Sequence, residues 1–392
     1  MRPFAFFTGL LLLFAAEIGK VYFIMPFPGS QQYDSIAIAY FLHKNIGYIR
    51  LVALLLIFVP LLGLWKPWKK WKKAVFVVSM ALYVIIFYLF NYRFLADKMF
   101  YQPKNKILVA QSANKVGGDK LVVGITIGNE SKAYPVEIIG YHHQVTDSIG
   151  GTPVMITYCT VCRTARVFSP LVNGKAETFR LVGMDHFNAM FEDKTTGSWW
   201  QQATGTAITG PLKGYQLTEL PSQQMRLDAW LRTNPGTLIL QPDPVYKKEY
   251  GDLSGFDAGT IKSNLERRDS GSWKFKSWVV GIRHENVAKA YDWNKLVEQK
   301  VINDSLGNLH LLLYLEKDQA SFHAWNRSVN NTVLHFLADS TGLRDRETNS
   351  YWNADGLCLE GQLKGIQLKD IQAYQEFWHS WKQFNPATKM YE

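Results

Sequence analysis

The sequence predicts an α+β, strand-rich protein in which N-terminal transmembrane α-helices precede two tandem, degenerate repeats of one small mixed α/β domain. Two observations support this prediction. Long apolar segments occupy residues 1–98, and short motifs of residues 107–240 recur in the same order in residues 276–391. A polar linker, residues 241–275, separates the two repeats.

The predicted membrane anchor contains three apolar segments, at about residues 4–27, 48–65 and 74–92. A helix of about 20 apolar residues crosses the hydrocarbon core of a bilayer. The first segment also carries Glu17 and Lys20, which lie three residues apart on a helix and can neutralise each other. An intramembrane ion pair is a candidate functional site, but the pattern favours simple anchoring.

The loop between the second and third segments predicts the orientation of the anchor. Residues 65–73 read Trp-Lys-Pro-Trp-Lys-Lys-Trp-Lys-Lys, and lysines in a short loop are typical of the cytoplasmic side. Residues 97–392 are therefore predicted to be exoplasmic. The loop supplies half of the formal net charge of +10. The remaining excess is diffuse, which argues against a nucleic-acid partner and leaves the lipid bilayer as the predicted partner.

The repeat is visible as paired motifs at offsets of 157 falling to 151 residues. The first copy carries two cysteines in Tyr158-Cys-Thr-Val-Cys162, whereas the second reads Tyr314-Leu-Glu-Lys-Asp318. One repeat therefore holds the chemistry, and the other serves as scaffold. The matching pairs are Val122-Val-Gly124 with Val279-Val-Gly281, Asp147-Ser-Ile-Gly150 with Asp304-Ser-Leu-Gly307, Gly210-Pro-Leu-Lys-Gly214 with Gly361-Gln-Leu-Lys-Gly365, and Asn234-Pro-Gly-Thr237 with Asn385-Pro-Ala-Thr388.

Strand signals dominate both repeats. Residues 121–127, 154–158 and 309–315 are runs rich in β-branched or aliphatic residues, the first two with glycines nearby. Short helices are predicted at residues 221–232 and 371–384, each followed by an Asn-Pro pair. This arrangement predicts two small strand-rich domains.

Cys159 and Cys162 are the main candidates for chemistry. Two cysteines at this spacing form a disulfide, bind one metal ion, or remain inert thiols. Residues 163–168 alternate like a strand, which predicts a hairpin turn and not the helix start of a thioredoxin-like site. Arg163 and Arg166 are placed to stabilise a thiolate. Cys358 is predicted to be a buried apolar residue.

A metal site would need further ligands. His142 and His186 are the candidates in the first repeat, and neither has a counterpart in the second. With the two cysteines they would form a set suited to copper or zinc.

Asp193, Ser198 and Trp200 form a second cluster that recurs in the second repeat as Asp345, Ser350 and Trp352. Asp193 and Trp200 would line the site in a functional interpretation. In the structural interpretation the carboxylate binds backbone amides of a turn and the indole is part of the core. The second interpretation is favoured, because the repeat without cysteines keeps all three residues.

The chain resembles the bacterial family known as domain of unknown function 3179. The motifs that carry the resemblance are Thr157-Tyr-Cys-x-x-Cys162, His142, Asp147-x-x-Gly-Gly151, Asp193-x-x-Thr-Gly-Ser-x-Trp200-Gln201 and Ala207-Ile-x-Gly-Pro-Leu-x-Gly214. The family typically has Pro-Leu between the cysteines and glycine after them, where this chain has Thr160, Val161 and Arg163. The resemblance implies an export signal or anchor, and hence a multi-pass protein of the bacterial inner membrane with a periplasmic C-terminal region. Some members are described as selenoproteins, which implies redox chemistry at a cysteine-like position.

Three functions remain open from the sequence. The leading hypothesis is redox or thiol exchange through a Cys159/Cys162 dithiol–disulfide. The second is a copper- or zinc-binding module, and the third is a non-catalytic interaction module with a structural disulfide. Whether the protein is an enzyme is not decided by these motifs, and its small-molecule or protein partner is unknown.

Overall fold

The computed structural model describes residues 2–338 and 342–392. Three long helices at the N-terminus and six short ones make up its α-helices. In chain order they are α1 Arg2–Tyr22, α2 Ile36–Leu64, α3 Lys70–Tyr92, α4 Ala96–Met99, α5 Val136–His142, α6 Leu227–Thr233, α7 Lys247–Asp252, α8 Trp293–Gln299 and α9 Trp378–Phe384.

Strands fill most of the rest of the chain. The first fourteen are β1 Leu108–Val109, β2 Leu121–Ile127, β3 Glu130–Pro135, β4 Gln144–Ile149, β5 Thr152–Cys159, β6 Thr164–Phe168, β7 Leu171–Val172, β8 Lys175–Ala176, β9 Phe179–Asp185, β10 Asn188–Asp193, β11 Trp199–Gln201, β12 Ala207–Thr209, β13 Gln223–Arg226 and β14 Leu238–Leu240. The others are β15 Trp278–His284, β16 Val287–Asp292, β17 Val301–Leu306, β18 Leu309–Leu315, β19 Phe322–Asn326, β20 Ser328–Val329, β21 Thr332–Val333, β22 Phe336–Ala338, β23 Leu343–Asp345, β24 Tyr351–Trp352, β25 Cys358–Glu360, β26 Lys369–Asp370, β27 Ala373–Phe377 and β28 Lys389–Met390. The predicted α+β, strand-rich class with apolar N-terminal helices is confirmed.

The chain folds into two compact units. The first contains the residues up to Tyr101 together with Glu177–Gln216, and the second contains Gln102–Ala176 together with Leu217–Glu392.

In the first unit, α1, α2 and α3 are long and apolar enough to span a membrane. Gly9 lets α1 approach α2 closely, because a Cβ atom there would lie 2.8 Å from the carbonyl oxygen of Ala53. α1 ends at Tyr22, five residues before the predicted end, where Pro26 and Pro28 follow in the chain. α2 begins at Ile36, twelve residues before the predicted start of the second span.

The predicted Glu17–Lys20 pair is present, at 3.0 Å between Lys20 Nζ and Glu17 Oε1. Arg50 from α2 adds two hydrogen bonds to the same carboxylate, at 2.9 Å from Nε and 2.7 Å from Nη2. Asn91 from α3 hydrogen-bonds with both Glu17 and Lys20. Each of the three long helices therefore contributes at least one residue to this buried polar cluster.

The same unit contains an antiparallel sheet in the order β12-β11-β10-β9. The backbone N–H of Met184 in β9 donates to the carbonyl of Ile24, which follows α1, at 2.7 Å. The first turns of α2 contact the sheet, with Tyr40 packed edge-on against Trp199 at 5.1 Å between ring centroids. This contact accounts for the early start of α2, since these turns lie beside the sheet.

The second unit contains two sheets of similar plan. β2 lies between β3 and β13, with Val122 opposite Pro135 and Gly124 opposite Gln223. β15 lies between β16 and β27, with Val279 opposite Asp292 and Gly281 opposite Tyr374. The full orders are β1-β14-β3-β2-β13 and β27-β15-β16-β28.

Each of these two sheets is covered by a tryptophan that packs on a glycine. Trp230 of α6 lies against Gly124, and Trp381 of α9 lies against Gly281. Both tryptophans are almost fully buried, and each indole N–H donates to a threonine hydroxyl, of Thr237 at 2.9 Å and Thr388 at 2.8 Å. Three-stranded β4-β5-β6 and four-stranded β17-β18-β19-β26 and β22-β23-β24-β25 complete the main sheets of the unit.

Candidate functional site

The two cysteines lie at a strand–turn–strand junction. Cys159 ends β5 and pairs with Thr164, the first residue of β6. The turn between them closes with a hydrogen bond of 3.3 Å from the Arg163 N–H to the Thr160 carbonyl. Arg163 has a φ of 54°, in the left-handed region that glycine occupies most readily. The hairpin predicted from the alternation of residues 163–168 is confirmed.

Both thiols are completely buried. Among the described residues the structure contains no disulfide bond. Burial is the main reason why the pKa of the Cys162 thiol is raised well above its ordinary value, and the hydrogen bond with Cys159 raises it further. The hydroxyl group of Ser380 and the charge of Lys276 act in the opposite direction. Cys162 is therefore held mainly as a neutral thiol.

The hairpin packs against β27 and α9 of the same unit. The Phe377 N–H donates to the Cys162 carbonyl at 2.9 Å. Lys276 Nζ donates to the Val161 carbonyl at 2.5 Å, and His379 Nε2 lies 3.2 Å from that same oxygen. Burial lowers the pKa of both side chains, that of His379 to about 3. At neutral pH His379 is therefore an uncharged neighbour of the turn.

Lys276, His379 and Ser380 were not predicted to lie beside the cysteines. Lys276 Nζ reaches across 115 residues of sequence to Val161, and His379 across 218. No local motif marks such residues, because only the packing of the C-terminal half of the unit brings them to the turn.

The two arginines predicted to stabilise a thiolate form other contacts. Arg163 donates to the Gln375 side chain and to the carbonyls of Phe256 and Asp257. Arg166 forms a buried ion pair with Glu376, and its Nε lies 3.5 Å from Glu219 Oε1. These contacts tie the hairpin to β27 and to the loop residues Glu219, Phe256 and Asp257.

The two histidines proposed as metal ligands lie in different units. His142 ends α5 and is fully buried, with Nε2 2.7 Å from the Tyr250 hydroxyl. His186 belongs to the unit of the long helices, where Nδ1 lies 2.7 Å from Asp185 Oδ1. That hydrogen bond is the main reason why the pKa of His186 is raised. The role of these two residues as ligands stays a prediction.

A different group has the spacing of a metal site. Among residues 2–338 and 342–392, Glu316, His323 and Asp355 hold their potential ligand atoms within 4.8 Å of one another. Arg232 already pairs with two of them, at 2.6 Å from Glu316 and 3.1 Å from Asp355. The group is thus a salt-bridge network with its own cation.

Asp193 has the contacts expected of a structural turn. Its carboxylate accepts hydrogen bonds from the backbone N–H groups of Thr196 at 2.6 Å and Ser198 at 3.0 Å, and from the Trp200 indole at 2.9 Å. Burial alone would raise the pKa of Asp193, but these hydrogen bonds lower it. Asp345 accepts from the Trp352 indole at the same distance of 2.9 Å.

Cys358, the third cysteine, is buried like the other two. Its Sγ lies 3.3 Å from the Glu360 carbonyl, within β25.

Comparison with known proteins adds one finding. A family model described as "Protein of unknown function (DUF3179)" matches residues 102–388, which is more than half of the chain. No curated protein and no solved structure gives a significant match.

Proposed function

The chain belongs to the DUF3179 family of proteins of unknown function, and we propose that it is a membrane-anchored exoplasmic protein in which Cys159 and Cys162 cycle between dithiol and disulfide. The observation that carries the proposal is the placement of both buried cysteines in one hairpin turn, with Cys159 at the end of β5 and Cys162 three residues later, before β6 begins. A disulfide can form between neighbouring cysteines of such a turn with little movement of the chain.

The environment of the pair limits the kind of reaction. A thiolate is the reactive species in thiol–disulfide exchange, and burial disfavours it here. Lys276 and Ser380 favour the thiolate and so provide a way to activate Cys162. Because both sulfurs are fully buried, the hairpin must open locally before any disulfide reaches them, and a small disulfide needs a smaller opening than a large protein partner.

The exchange transfers two electrons from the cysteine pair to the small disulfide in two steps. One cysteine, as a thiolate, attacks a sulfur of the small disulfide R–S–S–R, forms a mixed disulfide and releases R–S⁻, which takes up a proton. The second cysteine then attacks the mixed disulfide, forms the Cys159–Cys162 bond and releases the second thiol. The pair loses two electrons and two protons, and the small disulfide gains both.

Mass spectrometry of the purified full chain tests the proposal. Reduction of air-oxidised protein should raise the mass of the peptide that contains both cysteines by about two daltons. Cys358→Ser removes the third thiol and serves as the matched control, which should show the same change. A pair that is fully alkylated in protein prepared without reductant would contradict the proposal.

Elemental analysis of the same sample separates this function from metal binding. We expect no stoichiometric copper or zinc. A metal present at one equivalent and lost in Cys159→Ser would replace the redox assignment with a thiolate metal site. A disulfide that never responds to reductant would instead identify a static crosslink.

We also infer that residues 107–240 and 276–391 are two copies of one domain. Two contacts that recur at repeat-related positions support this inference. Tyr134 donates to Asp147 and Tyr291 donates to Asp304, both at 2.8 Å. The paired glycine–tryptophan contacts of the two sheets give further support. The second copy would then preserve the fold without the cysteines.

A further inference from the structure

A cleft of about 610 Å³ in the second unit is lined by more basic than acidic side chains, five against three. It has the size of pockets that bind small molecules. Two arginines, Arg163 and Arg268, meet the indole of Trp278 at this cleft. Arg163 directly follows Cys162, so the turn with the cysteines also supplies a side chain to the cleft.

Arg163 is a buried cation whose partners are neutral. The side chain is 1 % exposed. Its guanidinium donates to Gln375 Oε1 at 3.0 Å and to the carbonyls of Phe256 at 3.0 Å and Asp257 at 3.2 Å. In the part of the chain that the structure describes, no carboxylate forms an ion pair with it. A charge buried in this way is unfavourable unless an opposite charge is supplied.

Arg268 brings a second guanidinium to the same indole ring. The central carbon atoms of the Arg163 and Arg268 guanidinium groups lie 3.9 and 4.2 Å from the Trp278 ring centroid. Arg268 Nη2 donates to Asn294 Oδ1 at 2.5 Å. Burial lowers the pKa of both arginines, and the charge of Arg163 lowers that of Arg268 further. An anion between or beside them would relieve both effects.

Donor groups at this place also lack acceptors. Trp278 is 5 % exposed, and within residues 2–338 and 342–392 its indole Nε1 has no hydrogen-bond partner. The same holds for Arg268 Nε. Buried donors without acceptors are rare and costly, so two of them beside one cleft indicate a ligand that accepts hydrogen bonds.

Asp257 is compatible with such a ligand. Its Oδ2 accepts from the Leu121 N–H at 3.0 Å, and its buried Oδ1 has no partner among the described residues. Burial raises the pKa of Asp257, which favours the neutral carboxyl group. A neutral carboxyl group can donate a hydrogen bond to an oxyanion.

We propose that this cleft binds a small organic molecule through a phosphate monoester group, held by Arg163, Arg268 and the Trp278 indole N–H. A dianion matches two guanidinium groups in charge, and the planar fork of arginine matches the oxygens of a phosphate. Trp293 and Val297, which also line the cleft, offer apolar surface to the organic part. None of the binding groups is a cysteine, so this ligand site does not depend on the redox function. The Cys159→Ser variant is therefore expected to bind the ligand as well as the wild type does.

Calorimetric titration of the full chain in detergent tests the site, with glycerol 3-phosphate as the probe and sodium chloride holding the ionic strength constant. Wild-type protein should give a saturable signal. Arg268→Gln should weaken binding about tenfold or more, since it removes a charge-assisted contact. Arg267→Gln is the matched control, because it removes the same charge from the preceding exposed residue, and it should change affinity less than about twofold.

The outcomes decide the proposal. A signal that does not saturate, or an equal loss in Arg267→Gln and Arg268→Gln, would overturn it. The thermal midpoint of each variant is measured in the same buffer, so that a loss of binding in a folded Arg268→Gln protein is attributable to the cleft.

Nanodiscs identify the source of the phosphate group. If the ligand is soluble, glycerol 3-phosphate should bind equally in phosphatidylcholine discs and in discs that also contain phosphatidic acid. If a lipid headgroup fills the cleft, phosphatidic acid, whose headgroup is itself a phosphate monoester, should suppress that binding. Both outcomes support the oxyanion site. Absence of binding in phosphatidylcholine discs would contradict it.

Discussion

Arg163 adopts a left-handed backbone conformation directly after Cys162. A residue with a Cβ atom in this region is strained by about 1–2 kcal/mol. The family resemblance places glycine at this position, which fits the observed φ of 54°. In this chain the hydrogen bonds of the guanidinium and its contacts with Trp278 and Phe256 offset the strain. The arginine that replaces glycine at this position thus contributes its side chain to the lining of the cleft.

The His143 imidazole makes stability depend on pH. Burial lowers the pKa of His143 to about 4, whereas an unfolded histidine titrates near 6.5. As the pH falls from about 6.5 to 4, the unfolded state gains a proton that the folded state does not. The free energy of unfolding therefore falls, by up to about 3 kcal/mol at about 1.4 kcal/mol per pKa unit. Thermal unfolding of the full chain between pH 7 and pH 4 should show this loss.

His143→Asn should make that loss of stability shallower. Asparagine tolerates the φ of 61° found at this position and does not titrate. His284→Asn, at the less buried end of β15, is the matched control and should keep the wild-type slope. Identical slopes for wild type and His143→Asn would show that this ring does not carry the effect.

Contacts between residues close in sequence could be predicted, whereas contacts between residues far apart in sequence could not. The Glu17–Lys20 pair and the Asp193 turn follow from spacings of three to seven residues, which fix geometry within one helix or one turn. Lys276 and His379 reach the Val161 carbonyl from more than 100 residues away. Such proximity depends on tertiary packing and leaves no periodic signal in the sequence.

At the scale of elements, the β5–β6 hairpin and the strand-rich pattern followed from alternation, but the helix bounds did not follow from hydropathy. The predicted second span began at residue 48, whereas α2 begins at Ile36. The added turns contain His43, whose ring contacts Trp199 at 5.4 Å between centroids. Hydropathy marks the part of a helix that suits lipid, and side-chain packing on a sheet extends the helix beyond it.

Two glycines of the central strands are required by the tryptophans above them. A Cβ atom at Gly124 or Gly281 would lie under 3.0 Å from the ring of Trp230 or Trp381. Gly124→Ala and Gly281→Ala should each lower the free energy of unfolding by about 1–3 kcal/mol, because the ring cannot move without disturbing the core. Thermal or denaturant unfolding of the variants measures this effect.

Gly236→Ala is the matched control for these substitutions, since no atom lies within 4 Å of its Cβ position. It should leave stability unchanged or raise it slightly. An alanine at Gly124 with wild-type stability would show that α6 adjusts freely over the sheet. A similar cost at Gly124 and Gly281 would further support the inferred repeat.

At the scale of the whole molecule, the three long apolar helices share a compact unit with part of the strand-rich region. Residues 177–216, which lie within the predicted first repeat, form one compact unit with the helices. Hydrogen bonds within that unit join them, from Met184 N–H to the Ile24 carbonyl and from the Tyr40 hydroxyl to the Gly197 carbonyl. The sequence predicts the apolar helices and the strand-rich segment separately. It does not predict their association, because a contact between distant segments produces no repeated motif and no periodic pattern in the sequence.

The proposed exoplasmic position of residues 97–392 rests on the lysine-rich loop between α2 and α3, and it can be tested in a bacterial host. Alkaline phosphatase fused after Glu392 should be active, and a green fluorescent protein fused there should not fluoresce, because the first matures outside the cytoplasm and the second inside.

Replacing Lys66, Lys69, Lys70, Lys72 and Lys73 by glutamine should lower the phosphatase activity, since the charge difference across the anchor then favours the opposite orientation. Replacing Arg93, Lys98, Lys104 and Lys106 is the matched control and should leave the activity high. A fluorescent fusion of the wild-type chain would place these residues, and the cysteine pair with them, in the reducing cytoplasm, where a resting disulfide is not expected.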